Sequence, residues 1–137
     1  MRFEEQYMDV LQNIESGIVT VYRKHPEIAD YSVMRAIEAL IEDYKAVRNK
    51  REPKPHNLSE PETLMHETVG RLCDWRIGRQ SPDTEDAADL DSEEPPPGDV
   101  TVDEMILCLR RILTSVKLWN RNNGRQGYLN FVSKYVH

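Results

Sequence analysis

Three donor side chains on one predicted helix face could form one side of a metal site. Glu62, His66, Gly70 and Cys73 follow one another at intervals of four, four and three residues, so a helix would align a carboxylate, an imidazole and a thiol. These donor types bind Zn²⁺ in proteins, but a zinc site usually needs four ligands. The other three histidines do not show the spacing of further ligands. We therefore predict a capping Glu62, a boundary His66 and a buried Cys73, with no bound metal and no other cofactor.

A second combination consists of three carboxylates. Glu38, Glu42 and Asp43 lie close together in one predicted helix, and paired carboxylates on facing helices can support metal-dependent phosphate chemistry. Glu42 is also three residues from Lys45, so an ion pair on a solvated helix face explains it equally. The sequence contains no His-Glu-x-x-His, no Gly-rich phosphate loop and no nucleophile elbow. We predict no catalytic residues and keep a metal-dependent helical hydrolase as a third hypothesis.

A third candidate is a basic and aromatic surface in the last third of the chain. Arginine and asparagine beside aromatic rings, as in residues 119–128, can hold phosphates and stack on bases, and the same side chains suit a protein partner. The alternative is a tight turn at the Asn-Gly sequence, with arginines that favour a helix C-terminus. The candidate partner-binding residues are Arg110, Arg111, Trp119, Arg121, Asn122, Asn123, Arg125, Gln126 and Tyr128.

The charge of the chain is unevenly distributed. The formal net charge is −6, yet residues 80–104 hold ten acids and no base, whereas residues 105–137 hold six bases and no acid. The sequence pI of 5.2 is below the range typical of nucleic-acid-binding domains. We therefore predict a protein partner, with nucleic-acid association through the C-terminal arginines as the alternative.

Hydrophobic spacing places these candidates on helices. Residues 3–24 and 30–51 carry apolar groups every three or four residues, and Pro26, Pro53 and Pro55 follow the two stretches. Asp30 or Ser32 is the expected N-cap of the second helix. The link of about five residues predicts that the first two helices form an antiparallel hairpin.

The remaining helices have stronger start signals. Ser59-x-x-Glu62 and Thr101-x-x-Glu104 are capping boxes, and an Asn-Gly sequence at residues 123–124 is suited to end the fourth helix. A short fifth helix follows, capped by Asn123 or Gln126. Residues 80–100 contain eight acids and four prolines, which predicts a mobile acidic linker.

These observations predict one all-α domain over residues 1–137. We expect a helical bundle of four long helices plus a short C-terminal one, with the acidic insert between helices three and four. Two cysteines and the absence of a signal-like start or a long apolar run predict a cytoplasmic protein without a membrane partner. Surplus apolar residues on helix one, such as Phe3, Met8 and Val19, favour a homodimer. The leading functional hypothesis is a non-enzymatic interaction adaptor or regulatory accessory factor.

Overall fold

The computed structural model describes residues 3–78 and 100–136, and within these ranges the chain forms five helices and no strand. The predicted all-α helical bundle is confirmed. Four helices have 17 to 22 residues and the last has nine. The helices are α1 (Phe3–Lys24), α2 (Asp30–Arg48), α3 (Glu60–Arg76), α4 (Val102–Asn123) and α5 (Gly127–Tyr135).

Two helices begin with the capping boxes that the sequence predicts. The hydroxyl of Ser59 accepts the backbone N–H of Glu62 at 3.4 Å, and the Glu62 carboxylate accepts the N–H of Ser59 at 3.0 Å. Thr101 and Glu104 exchange the same two bonds at 3.0 and 2.9 Å at the start of α4. Each box satisfies N–H groups that the first helical turn leaves without an intrahelical partner.

The caps predicted for α2 and α5 are wrong. The N-cap position of α2 is occupied by Ala29, which makes no side-chain cap. Neither Asp30 nor Ser32 is therefore the N-cap. Gln126 precedes α5 and makes no side-chain cap either. The side chains of Asp30 and Gln126 instead contact elements about 100 residues away, which local spacing cannot reveal.

Contacts at both ends of α2 and α4 define the direction of this pair. Arg48 at the end of α2 pairs with Asp103 at the start of α4, with 3.4 Å between Nη1 and Oδ1. Asp30 at the start of α2 accepts a hydrogen bond from the amide of Asn120 near the end of α4, at 3.3 Å. The two helices are therefore antiparallel.

Helix α3 approaches its two neighbours closely at glycines. A Cβ atom added to Gly17 of α1 would lie 2.7 Å from Cδ1 of Leu72 and 3.6 Å from Cγ2 of Val69. A Cβ atom added to Gly70 of α3 would lie 3.3 Å from Cδ2 of Leu40 in α2. Both glycines therefore allow close packing of helix backbones.

The four long helices do not pair in the order of the chain. Helix α1 packs mainly on α3, α2 packs on both α4 and α3, and α5 packs mainly on α4. The predicted antiparallel α1–α2 hairpin is therefore not a packed pair of helices, because α3 packs against both α1 and α2. One core results, and its fully buried side chains include Ile14, Ile18, Ile37, Met65, Leu109 and Leu129.

The end of the first described part of the chain, residues 3–78, contacts the start of the second, residues 100–136. The backbone N–H of Val100 donates to the carbonyl oxygen of Arg76 at 3.2 Å, and Val100 is buried. The predicted acidic linker lies outside the described residues except for Val100. None of the described helices is both long and apolar enough to cross a membrane.

The apolar surplus predicted on α1 is only partly present. Val19 is 1% exposed and belongs to the core. Met8 is exposed, and its sulfur accepts the hydroxyl of Tyr135 at 3.8 Å. The Phe3 side chain lies outside the described part of the chain. A homodimer stays a prediction, with less apolar surface to support it than the sequence suggests.

Burial raises the pKa of Glu15 on α1 from 4.5 to about 7. Because the folded state then holds this proton more tightly than the unfolded state, stability should fall as the pH rises from about 4.5 to about 7, and level off above. We expect Glu15→Gln to match the wild type near pH 4 and to be about 1 kcal/mol more stable at pH 8, after allowance for solvent screening. Urea denaturation at both pH values measures the difference. The exposed Glu67→Gln is the control, and an equal gain of Glu15→Gln at both pH values would contradict the prediction.

Candidate functional site

The turn between α4 and α5 holds the link between α1 and α2. The carbonyl of Arg125 accepts the backbone N–H of Asp30 at 2.9 Å, and the Arg125 guanidinium donates to the carbonyl of Glu27 at 2.9 Å. The amide of Gln126 donates to the carbonyls of Pro26 and Ile28, at 2.7 and 2.5 Å. Two predicted partner-binding side chains therefore contact the protein's own backbone.

A buried carboxylate completes this junction. Asp30 has no exposed surface, and its two oxygens accept the backbone N–H groups of Tyr128 and Leu129 at 2.9 and 3.1 Å. Burial raises the pKa of Asp30, and these bonds together with the amide of Asn120 oppose the rise. Since Tyr128 and Leu129 lie in the first turn of α5, Asp30 supplies the cap that α5 lacks locally.

The aromatic members of the predicted surface pack inward. Tyr128 is fully buried, and the partly buried ring of Trp119 stacks on Phe131 with 4.1 Å between the centroids. Asn122 is exposed, whereas the amide of Asn123 donates to the carbonyl of Trp119 at 3.3 Å. The stretch 119–128 therefore serves packing more than its composition indicates.

The cations predicted for this surface remain outside. Arg110, Arg111 and Arg121 are exposed on α4. Two leucines that were not among the predicted site residues lie beside these arginines on α4. Leu107 is 50% exposed and Leu118 is 52% exposed. A turn-by-turn reading of α4 could have found them, because both fall outside its core stripe.

A groove of about 470 Å³ between α2 and α4 brings two of the predicted carboxylates to basic side chains. Glu38 and Glu42 of α2 line it together with Arg110 and Lys117 of α4. The predicted pair of Glu42 and Lys45 is present, at 3.5 Å. In this groove the facing helix supplies cations where paired-carboxylate chemistry would need acids.

The third predicted carboxylate joins two histidines. Asp43 of α2 contacts Nε2 of His56 through Oδ1 at 2.7 Å and Nε2 of His66 through Oδ2 at 2.8 Å. The two imidazole centroids are 5.7 Å apart. His56 lies in the connection between α2 and α3, and His66 lies on α3. The cluster therefore joins three consecutive elements.

Two opposing effects set the pKa of Asp43. Burial alone would raise the pKa of Asp43, but the hydrogen bonds and partial charges of His66 and His56 outweigh it and lower the pKa. Asp43 is therefore a carboxylate at neutral pH, and it is a good acceptor for two N–H donors or a good ligand for a cation.

Of the helical line from Glu62 to Cys73, only His66 joins this cluster. Glu62 closes the α3 capping box and lies 3.9 Å from Nε of Arg35. Cys73 is fully buried, and burial raises the pKa of its thiol. Asp43, His56 and His66 are the only group of three or more potential ligands that converge within the described residues.

Comparison with protein-family models, with curated proteins and with solved structures finds no match for this chain.

Proposed function

We propose that the protein is a non-enzymatic helical adaptor that binds an acidic amphipathic helix of a partner protein through the outer face of α4. The exposure of Leu107 and Leu118 carries this proposal. They are eleven residues apart, which is three helical turns and about 16 Å, so they lie on one face of α4. Half-exposed leucines at this spacing are typical anchors for a helix that packs alongside.

The charge around these leucines defines the partner. Arg110, Lys117 and Arg121 are exposed on α4, and residues 105–136 contain no acidic side chain, although Glu38 and Glu42 of α2 share the α2–α4 groove with Arg110 and Lys117. A partner helix with leucines on one face and Asp or Glu beside them would match both the apolar and the charged groups. Each exposed ion pair contributes at most about 1 kcal/mol, so the leucines must supply most of the affinity.

This surface is narrower than the one predicted from the sequence, and it lies further upstream. Tyr128 is buried, and Arg125 and Gln126 hold the α1–α2 link, so these side chains are not offered to a partner. Of the predicted residues the surface retains Arg110 and Arg121, and it adds Leu107, Lys117 and Leu118.

A second copy of the chain suits this face poorly. In a symmetric dimer built on α4, Arg110 and Arg121 of one copy would meet the same cations of the other. Nucleic acid would match the cations but would leave the two leucines without an apolar partner. An acidic helix accounts for both groups of side chains.

The test uses a designed helical peptide with leucines at positions i, i+4, i+7 and i+11 and glutamates elsewhere, labelled for fluorescence anisotropy. We expect the doubly substituted Leu107→Ser/Leu118→Ser protein to bind at least tenfold more weakly than the wild type. Arg110→Glu/Arg121→Glu should weaken binding to a similar extent, because it replaces attraction by repulsion.

Two controls separate specific docking from general attraction. Arg51→Glu/Lys54→Glu makes the same charge change at exposed residues outside α4 and should leave the affinity unchanged. A scrambled peptide of the same composition should bind weakly. Equal binding of both peptides would overturn the proposal, because charge alone would then explain the binding. Tighter and steeply salt-dependent binding of a DNA duplex would overturn it in favour of nucleic acid.

A further inference from the structure

We propose that Asp43, His56 and His66 form a binding site for a divalent transition-metal ion of the Zn²⁺ type. This site is independent of the α4 face. Two imidazoles and one carboxylate are a donor set that such ions prefer over Mg²⁺ and Ca²⁺, which select oxygen ligands. The three side chains come from α2, from the α2–α3 connection and from α3, so an ion here would join these elements.

The geometry is close to that of a coordinated ion. The ligand atoms of all three side chains lie within 4.8 Å of one another. The Nε2 atoms of His56 and His66 are 2.7 and 2.8 Å from the oxygens of Asp43. Ligands at about 2.0–2.1 Å from a tetrahedral zinc ion are roughly 3.3 Å apart. Coordination would therefore lengthen the two hydrogen-bonded distances by about half an ångström and shorten the longest separation between ligand atoms by up to about 1.5 Å.

The site is accessible to an ion and to a water molecule. The side chains of Asp43, His56 and His66 are 18%, 23% and 25% exposed. Three protein ligands leave a fourth position of the tetrahedron for water. By contrast, the two cysteines are poor competing ligands, because both are buried and burial raises the pKa of the Cys108 thiol to about 11.

The surroundings of the imidazoles set the expected affinity. Within the described residues, no hydrogen-bond partner orients Nδ1 of His56 or of His66. Metal-binding histidines usually have such a partner, and its loss weakens binding by roughly 10- to 100-fold. We therefore expect a micromolar dissociation constant for Zn²⁺ rather than the much tighter binding of structural zinc sites.

The experiment titrates ZnCl₂ into chelator-treated, untagged protein by calorimetry. We expect one equivalent of Zn²⁺ to bind and to raise Tm by several degrees, because the ion stabilises the folded state only. Co²⁺ should give the visible absorption of a four-coordinate site. His56→Ala/His66→Ala should weaken Zn²⁺ binding at least 100-fold, whereas His25→Ala, which removes a histidine from the α1–α2 link, should leave it unchanged.

Asp43→Asn keeps the test decisive if the double histidine variant does not fold. It preserves the size of the side chain and one carbonyl acceptor but removes the negative charge, so the fold should persist while Zn²⁺ binding drops at least tenfold. No Zn²⁺ uptake by the wild type, or uptake that neither Asp43→Asn nor the double variant weakens, would overturn the proposal. If the wild type takes up no Zn²⁺, the three side chains only form hydrogen bonds with one another.

Discussion

Asp30→Ala should lower the free energy of unfolding by about 3 kcal/mol, the larger of two effects expected at the α4–α5 turn. The substitution removes the carboxylate that accepts the backbone N–H groups of Tyr128 and Leu129. Both groups lie in buried residues of the first turn of α5, where water does not readily replace the lost acceptor. A hydrogen bond to a charged group contributes about 1.5–3 kcal/mol, and the loss of a cap costs up to about 2 kcal/mol.

Urea denaturation followed by circular dichroism measures this loss. Asp103→Ala is the matched control, because Asp103 is also in the first turn of a helix but its side chain is 69% exposed, so the cost should stay below about 1 kcal/mol. Asp30→Asn should be intermediate, since it keeps one acceptor. Amide hydrogen exchange should accelerate first in α5. Equal stability of the Asp30→Ala and Asp103→Ala proteins would show that the cap does not hold α5.

Gly127→Ala should cost about 2–3 kcal/mol, because the added methyl group has no space. A Cβ at Gly127 would collide with the carbonyl oxygen of Trp119 and would lie 2.6 Å from Cβ of Asn123. Backbone atoms cannot rotate away as a flexible side chain can, so the α4–α5 turn would have to open. Opening the turn would also weaken the Asp30 cap, which lies in the same junction.

The control for this substitution is Gly70→Ala, the same chemical change within α3. The nearest atom there is Cδ2 of Leu40 at 3.3 Å, the end of a flexible side chain, and alanine favours a helix over glycine by up to about 1 kcal/mol. The steric cost of the added methyl group and the gain in helix propensity nearly cancel, so the free energy of unfolding should change by less than about 1 kcal/mol. If thermal and urea denaturation find the Gly127→Ala protein as stable as the Gly70→Ala protein, the prediction that the turn has no space for a methyl group is contradicted.

These two predictions concern the fold and leave the proposed binding functions separable from it. Asp30 and Gly127 act at the turn where α4 ends, whereas Asp43, His56 and His66 lie between α2 and α3. A folded Asp30→Asn protein should therefore retain Zn²⁺ binding. Its α4 face should also bind the acidic peptide, since Leu107 and Leu118 lie outside the junction.

Local sequence patterns were sufficient to locate the helices. Apolar residues every three or four positions and the capping boxes at Ser59 and Thr101 gave the start of α3 and α4 and the all-α class. These signals are reliable because each involves residues within one helical turn, whose geometry is known before any tertiary contact forms.

The cap of α5 and the histidine cluster needed the tertiary structure. The sequence predicts Asp30 to be a local cap of α2, and no neighbouring residue indicates its contact with Tyr128. His56 follows two prolines without a helical period, so no spacing relates it to Asp43 or His66. The positions of these groups depend on how α2, α3 and α5 pack, and that packing is decided by the shape of the whole core rather than by any short segment.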